Sequence, residues 1–137
     1  MSNNKKFIFL PHTADIKFQA FGKSLEKVFE NSSLAMIASQ YRGKIKKKIK
    51  KRIKVRGKDN ESLLYNFLEE ILFLIDTKGF LMSECKIKIK GYELTAELIG
   101  DDIKNYKITI DAKAVTYNEM FVRKEKNKWI AQVVVDV

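Results

Sequence analysis

The alternation of apolar and polar residues predicts that the chain begins with a β-strand followed by an α-helix. Residues 16–21 alternate between apolar and polar side chains, as in a strand with one buried face. Ser24 is a candidate N-cap, and apolar side chains then recur along one side of a helix that runs to about Gln40. These side chains are Leu25, Val28, Phe29, Ala35 and Met36. We expect this helix to cover a sheet.

The segment from Lys44 to Arg56 is ambiguous between helix and strand, because its isoleucines recur at a spacing of four. Val55 shares the parity of these isoleucines, and glycines bracket the run, so the pattern favours a strand. Two lysines, Lys47 and Lys51, have the same parity and would lie along the margin of the sheet. We therefore predict an edge strand, whose lysines would also prevent pairing with another chain.

A second helix is predicted from Asp59 or Asn60, either of which can cap it, to near Gly79. Glu61 stands in its first turn, where a negative charge is favourable. The helix carries a broad apolar face, formed by Leu63, Leu64, Phe67, Leu68, Ile71, Leu72, Leu74 and Ile75. We expect it to be the more deeply buried helix.

From residue 81 onward the pattern predicts strands and turns. Residues 85–89 and 92–99 alternate, residues 100–102 read as a turn or loop, and residues 106–110 continue the strand period. A hairpin is predicted from residues 120–123 and 129–135. The fold class is α+β: one domain over residues 1–137, ordered β-α-β-α and followed by antiparallel strands, with both helices packed on one face of a mixed sheet.

Composition limits the classes of protein that this chain can belong to. Its 45% hydrophobic content argues against disorder, and its single cysteine, Cys85, excludes an internal disulfide and a multi-cysteine zinc site. The apolar run at residues 7–10 is too short for a secretion signal, and no run approaches the length of a membrane span. We therefore expect a cytoplasmic protein with Cys85 in the core or in a strand.

The net charge of +10 comes from one segment. Arg42 to Lys58 contains eleven basic residues among seventeen and no acidic residue, and the rest of the chain has sixteen basic against seventeen acidic residues. The segment is either a solvated edge strand or a surface that binds phosphates. It lacks the aromatic side chains that stack on bases and the bulky apolar face of a membrane anchor.

Two stretches could carry chemistry. The only proline and the only histidine are adjacent in the segment Pro11 to Asp15, which is either a plain turn or a turn that presents polar groups. At the other end of the sequence, Asp136 and the carboxylate of Val137 crowd the end of an apolar strand, and water or a cation must offset their repulsion. Hard oxygen donors of this kind suit Ca²⁺ or Mg²⁺. The sequence contains neither a glycine-rich phosphate loop nor a Ser/His/Asp arrangement.

Three motifs follow one another along the sequence: His12-Thr13-Ala14-Asp15-Ile16, Lys113-Ala114-Val115-Thr116-Tyr117, and an ending from Trp129 through Val133-Val134-Val135-Asp136-Val137. Their order and spacing resemble the archease family. Two positions depart from the family pattern. Pro11 stands where an acidic residue is common, and Asn118 stands where a histidine is common.

The resemblance implies a small α+β accessory protein, not itself an enzyme, that serves as a cofactor of an RtcB-type RNA ligase. Such a ligase uses GTP and manganese to join RNA ends in tRNA splicing and RNA repair. Archease promotes guanylylation of the ligase and its multiple turnover. The resemblance also implies a divalent cation site, whose ligands map onto Asp15, Asp136 and Val137. The expected cation is Ca²⁺, with Mg²⁺ or Mn²⁺ as alternatives.

Two further residues are assigned supporting roles on the same basis. His12 would hold Asp15 by a hydrogen bond, and Lys113 would contact the ligase or balance the carboxylates. RNA or tRNA would be reached indirectly, through Arg42 to Lys58. Three alternatives stay open: a metal-dependent hydrolase that uses Asp15, Asp136 and His12 on RNA, a generic RNA-binding module, and a chaperone-like modulator of an RNA-modifying enzyme.

Overall fold

The computed structural model describes residues 5–137, and these form seven strands and two α-helices. In chain order the elements are β1 (Phe7–Leu10), β2 (Ile16–Gly22), α1 (Leu25–Gln40), β3 (Ile49–Arg56), α2 (Asn60–Lys78), β4 (Phe80–Lys90), β5 (Glu93–Asp102), β6 (Ala114–Glu125) and β7 (Lys128–Asp136). A single 3-10 turn, Ile103–Asn105, follows β5.

Both helices begin and end where the sequence predicts, because their caps are encoded locally. The hydroxyl of Ser24 accepts a hydrogen bond from the Lys27 N–H at 3.1 Å, which starts α1. Asp59 and Ser62 form a reciprocal capping box at the start of α2, with Asp59 Oδ1 2.7 Å from the Ser62 nitrogen. Gly79 ends α2 in the left-handed region, at φ 61°.

The α+β class is confirmed, but the prediction of one mixed sheet is wrong. Every strand pair is antiparallel, and the strands form a four-stranded sheet in the order β1-β2-β7-β6 and a three-stranded sheet in the order β3-β5-β4. Each helix contacts strands of both sheets rather than one face of a single sheet. The pairing of β2 with the last strand, β7, joins residues more than 100 positions apart, which local periodicity does not encode.

The predicted apolar face of α2 forms the centre of the core. All eight of its apolar residues are buried, and Phe67 stacks on Phe29 of α1 with ring centroids 6.3 Å apart. Replacing such a side chain with alanine would cost about 3–5 kcal/mol. The two helices therefore fix the position of the two sheets relative to each other.

The basic segment lies at the edge of the three-stranded sheet, as predicted, but its strand is shorter than predicted. β3 begins only at Ile49. The Lys48 N–H still donates to the Gly100 carbonyl of the neighbouring strand β5, but the Lys46 N–H donates to the Tyr106 hydroxyl, outside the sheet. Ile49 is 36% exposed, so the parity that indicated a strand does not extend through the whole run.

Two predictions in the second half are wrong. Residues 106–110 are not a strand, because the Thr109 N–H and hydroxyl both donate to the Gln40 carbonyl at the end of α1. Asp101 and Asp102 end β5 rather than forming a loop. Asp101 is buried and accepts a hydrogen bond from the Tyr106 hydroxyl at 2.7 Å.

Candidate functional site

The β2–β7 register brings the two ends of the sequence together. Ile16 is paired with Val135 in this antiparallel ladder, so Asp15 and Asp136 occupy the next opposed positions at the same end of the sheet. Asp15 is half-buried and Asp136 is exposed. This strand pairing therefore brings the two aspartates that the family resemblance implies as metal ligands to the same end of one sheet.

Lys113 and Val137 lie at the same end. Ala114 is paired with Asp136 in the β6–β7 ladder, and the Lys113 N–H donates to the Asp136 carbonyl at 2.8 Å. Lys113 and Val137 are both exposed. The main chain thus places the four residues Asp15, Lys113, Asp136 and Val137 around the ends of three adjacent strands.

His12 contacts a residue that the sequence did not single out. Its Nε2 lies 3.0 Å from Oε2 of Glu119, and because a carboxylate only accepts hydrogen bonds, Nε2 carries the proton. Its Nδ1 lies 3.9 Å from Oδ2 of Asp15, which is longer than a hydrogen bond. Nδ1 is buried and has no hydrogen-bond partner among residues 5–137. The imidazole is thus held by Glu119 and faces Asp15 with a free nitrogen.

Glu119 reaches His12 because β6 bulges. The β6–β7 register shifts between Thr116 and Phe121, and Glu119 adopts φ 56°, in the left-handed region. Its carboxylate also accepts from the Lys17 ammonium at 2.9 Å, and its carbonyl accepts from the Gln132 side chain at 2.8 Å. A backbone in this sparsely populated region is strained unless its surroundings hold it, and here three side chains do.

One stripe of α2 fixes both sides of this bulge. Residues 61, 65 and 69 recur at a spacing of four and therefore lie on one helix face. Glu61 accepts from the Val122 N–H at 3.0 Å, and Glu69 accepts from the Val115 N–H at 2.7 Å. Between them, the Tyr65 ring stacks on that of Tyr117 at 4.2 Å. These contacts also close the free edge of the four-stranded sheet.

The charges around Glu119 favour its ionised form. Hydrogen bonds from Lys17 and His12 lower the pKa of the Glu119 carboxyl below its ordinary value of 4.5. The network of His12, Lys17 and Glu119 therefore persists at neutral pH.

The donor set at the strand ends fits a hard divalent cation. Two carboxylates and the main-chain oxygens of Val137 are the ligands that Ca²⁺ prefers, and Ca²⁺ accepts irregular geometry and water in its open positions. Within residues 5–137, no group of three or more His, Cys, Asp or Glu side chains is placed to hold a metal ion. A site here would thus depend on main-chain oxygen and water, and the metal assignment stays a prediction.

Sequence reasoning missed Glu119 and Lys17, although one signal of the bulge is present. Val115 and Val122 are both buried, but they differ in parity, so an odd number of extra residues must interrupt the strand between them. What the sequence could not indicate is that the interrupted stretch folds over β2.

Cys85 takes no part in this site. It lies in β4, half-buried, with its sulfur 3.4 Å from the Ser33 hydroxyl. Burial raises the pKa of its thiol to about 12, so the thiol is inert at neutral pH, in line with the expectation of a strand residue.

The chain is similar to known proteins over nearly its whole length. The Archease protein family model matches residues 7–137. The chain belongs to the archease family. An archease from Methanosarcina barkeri is 38% identical, with 99% of each chain covered. An archease from Pyrococcus abyssi is 37% identical over 97% of this chain and 99% of its own.

Archease structures also share the fold. The solution structure of protein 1598 from Methanobacterium thermoautotrophicum superimposes with a TM-score of 0.80 at 33% identity, covering 96% of this chain and 99% of that one. A Thermotoga maritima archease, described as a possible chaperone, superimposes at 0.68 with 21% identity, over 93% of this chain and 94% of that one. In the part of this archease that the structure describes, neither helix is long and apolar enough to cross a membrane.

Proposed function

We propose that this protein activates an RtcB-type RNA ligase, promoting its guanylylation and its multiple turnover in tRNA splicing and RNA repair. The observation that supports the proposal most is the β2–β7 register, which sets Asp15 opposite Asp136 beside Lys113. Membership of the archease family supports the accessory role over an independent enzyme. The protein acts by contact with the ligase and catalyses no reaction by itself.

The corner formed by Asp15, Asp136 and Val137 is the contact that we propose for the ligase's nucleotide site. Asp15 and Asp136 would hold a divalent cation, Ca²⁺ in the first instance, together with main-chain oxygen of Val137 and water. A bound cation supplies positive charge beside phosphate groups, and phosphoryl-type transfer depends mainly on positioning and on charge neutralisation. Lys113, which is exposed at the same strand end, adds a further positive charge toward the partner.

His12 lies next to Asp15 in this corner and would support it. Its Nε2 is held by Glu119 at 3.0 Å, and its Nδ1 lies 3.9 Å from the Asp15 carboxylate. The role of His12 is therefore to orient Asp15 rather than to transfer a proton to RNA.

The test has a binding readout and an activity readout. Calorimetric titration with Ca²⁺ should give a binding isotherm for the natural protein that is lost in Asp15→Asn and in Asp136→Asn. Asp76→Asn, which changes an exposed aspartate at the end of α2, is the matched control and should bind normally. In a ligation assay with excess RNA, Asp15→Asn should leave the ligase at a single turnover. RNA cleavage by this protein alone with Mg²⁺ or Mn²⁺ would instead support the hydrolase alternative.

A second candidate is a chaperone-like modulator of an RNA-modifying enzyme, in keeping with the description of the Thermotoga protein as a possible chaperone. Such a role usually needs a contiguous apolar surface. Six large apolar residues are exposed in the described part of the chain: Ile49, Phe73, Tyr92, Ile110, Tyr117 and Val137. Ligase activation is preferred because the opposed carboxylates at the strand ends favour a cation-bearing contact over an apolar one. Suppression of aggregation of a client enzyme by both the natural protein and Asp15→Asn would favour the second candidate.

A further inference from the structure

The outer face of the three-stranded sheet is a separate, strongly basic surface. The other face of this sheet packs on the helices, with Ile53, Ile87 and Leu98 buried, whereas the side chains that alternate with them point outward. The register places these outward side chains in four rows across the strands β3, β5 and β4. The rows are Lys50-Ile99-Glu84, Arg52-Glu97-Lys86, Lys54-Thr95-Lys88 and Arg56-Glu93-Lys90.

Positive charge dominates the two outer strands of this face. Seven of the eight outward positions on β3 and β4 are basic, and with the acidic residues Glu84, Glu93 and Glu97 the twelve side chains carry a net charge of +4. The basic segment seen in the sequence supplies only four of the seven. The other three, Lys86, Lys88 and Lys90, come from the opposite edge of the sheet.

Most of these cations are not neutralised by the protein. Glu93 pairs with Arg56 at 2.8 Å and with Lys54 at 3.5 Å. Glu84 is paired with Lys47, which lies outside the face. The remaining five basic side chains have no ion-pair partner within residues 5–137: Lys50, Arg52, Lys86, Lys88 and Lys90. Neighbouring cations without ion-pair partners repel each other. A bound polyanion would reduce this repulsion.

We propose that this face binds the sugar-phosphate backbone of RNA without reading its sequence. Outward side chains repeat about every 6.8 Å along each strand, and the two basic strands lie about 10 Å apart, so the face presents two parallel lines of cations. Among the twelve outward side chains none is aromatic, so base stacking does not contribute. The face also lacks the bulky apolar side chains that insert into a membrane, since only Ile99 is apolar.

The choice of RNA over another polyanion rests on the proposed function, whereas the contact with phosphate does not. An RNA held on this face would be presented to the ligase by the same protein that activates it. The face and the Asp15–Asp136 corner belong to different sheets, so each can be altered without changing the other.

The test compares two variants of equal charge. The face variant Lys86→Glu, Lys88→Glu and Lys90→Glu and the control variant Lys107→Glu, Lys124→Glu and Lys126→Glu each lower the net charge from +10 to +4 at exposed positions. Binding is measured by fluorescence anisotropy with a labelled single-stranded RNA of about 15 nucleotides, across a range of salt concentrations. A third variant, Lys86→Gln, Lys88→Gln and Lys90→Gln, removes the positive charges without adding negative ones. Far-UV circular dichroism of each protein verifies that loss of binding is not loss of folding.

We expect the face variant to bind at least about tenfold more weakly and the control variant to stay within about twofold of the natural protein. The slope of log K against log salt should fall in magnitude by about 2 in the face variant, because each lost contact removes about 0.7. Unrelated RNA sequences should bind alike.

Equal weakening by both triple variants would overturn the proposal, because net charge rather than this face would then set the affinity. So would absence of RNA binding at about 0.1 M salt, where surface charges still act over about 10 Å. Equal or tighter binding of poly-glutamate would assign the face to an acidic protein, and equal or tighter binding of phosphatidylserine vesicles would assign it to a membrane surface. Guanylylation of the ligase in the absence of RNA should be unchanged in the face variant, so this inference and the proposed function fail separately.

Discussion

The hydrogen bond from Val115 to Glu69 gives a direct test of how the site is supported. Val115 is 2% exposed, and its N–H donates to Glu69 Oε2 at 2.7 Å. In Glu69→Ala the N–H would be left buried without an acceptor, which costs about 1–3 kcal/mol. Because Val115 stands just before the β6 bulge, the change would also loosen the segment that presents Glu119.

The midpoint of this range predicts a clear shift in thermal unfolding. At about 2.1 cal/mol/K per residue, a chain of 137 residues unfolds with an entropy of about 0.3 kcal/mol/K. A loss of about 2 kcal/mol then lowers the unfolding temperature by about 7 °C. Differential scanning calorimetry of the two proteins at neutral pH measures this shift.

Two matched variants separate the hydrogen bond from other effects of the substitution. Glu69→Gln keeps a side-chain oxygen that can accept from Val115, so it should lose less than half as much stability. Glu70→Ala changes the neighbouring glutamate, whose side chain accepts no hydrogen bond from another element within residues 5–137, and should unfold near the natural temperature. If Glu69→Ala unfolds at the natural temperature, or if Glu69→Gln loses as much as Glu69→Ala, the assigned role of this carboxylate is wrong.

Three further predictions follow from local chemistry. Because the pKa of the Cys85 thiol is about 12 rather than 9.0, Cys85 should react with iodoacetamide about a thousandfold more slowly in the folded protein than in urea. Since the folded pKa of Glu119 lies below 4.5, its pairing with Lys17 stabilises the protein above that pH and is lost as the pH falls through the folded pKa. Urea midpoints of the natural protein and Glu119→Gln should therefore converge under acid. Asp59→Ala should cost about 1 kcal/mol by the same measurement, because it removes the cap of α2.

The helices were predictable because their signals are local. Ser24, Asp59 and Gly79 act on backbone groups within a few residues, and the apolar stripe of α2 needs only a period of 3.6. The edge position of β3 was likewise predictable, since lysine on the inward parity is tolerated only at the margin of a sheet.

The division into two sheets and the role of Glu119 were not predictable, because both depend on contacts distant in sequence. Glu119 and His12 are separated by 107 positions and meet only because β2 pairs with β7 and β6 pairs with β7. The residue pattern marked Asp136 and the segment that contains Asp15, and the resemblance to the family joined them as ligands of one site. Their opposition depends on the antiparallel pairing of β2 with β7, which the structure shows.

Single-turnover guanylylation of the cognate RtcB-type ligase tests the central proposal most directly. The ligase is mixed with labelled GTP and Mn²⁺, with and without this protein, and the covalent ligase–guanylate is followed before any RNA is added. The natural protein should accelerate formation of the adduct, while Asp15→Asn, folded by circular dichroism, should leave the rate at that of the ligase alone. An unchanged rate with the natural protein, or full acceleration by Asp15→Asn, would contradict the account.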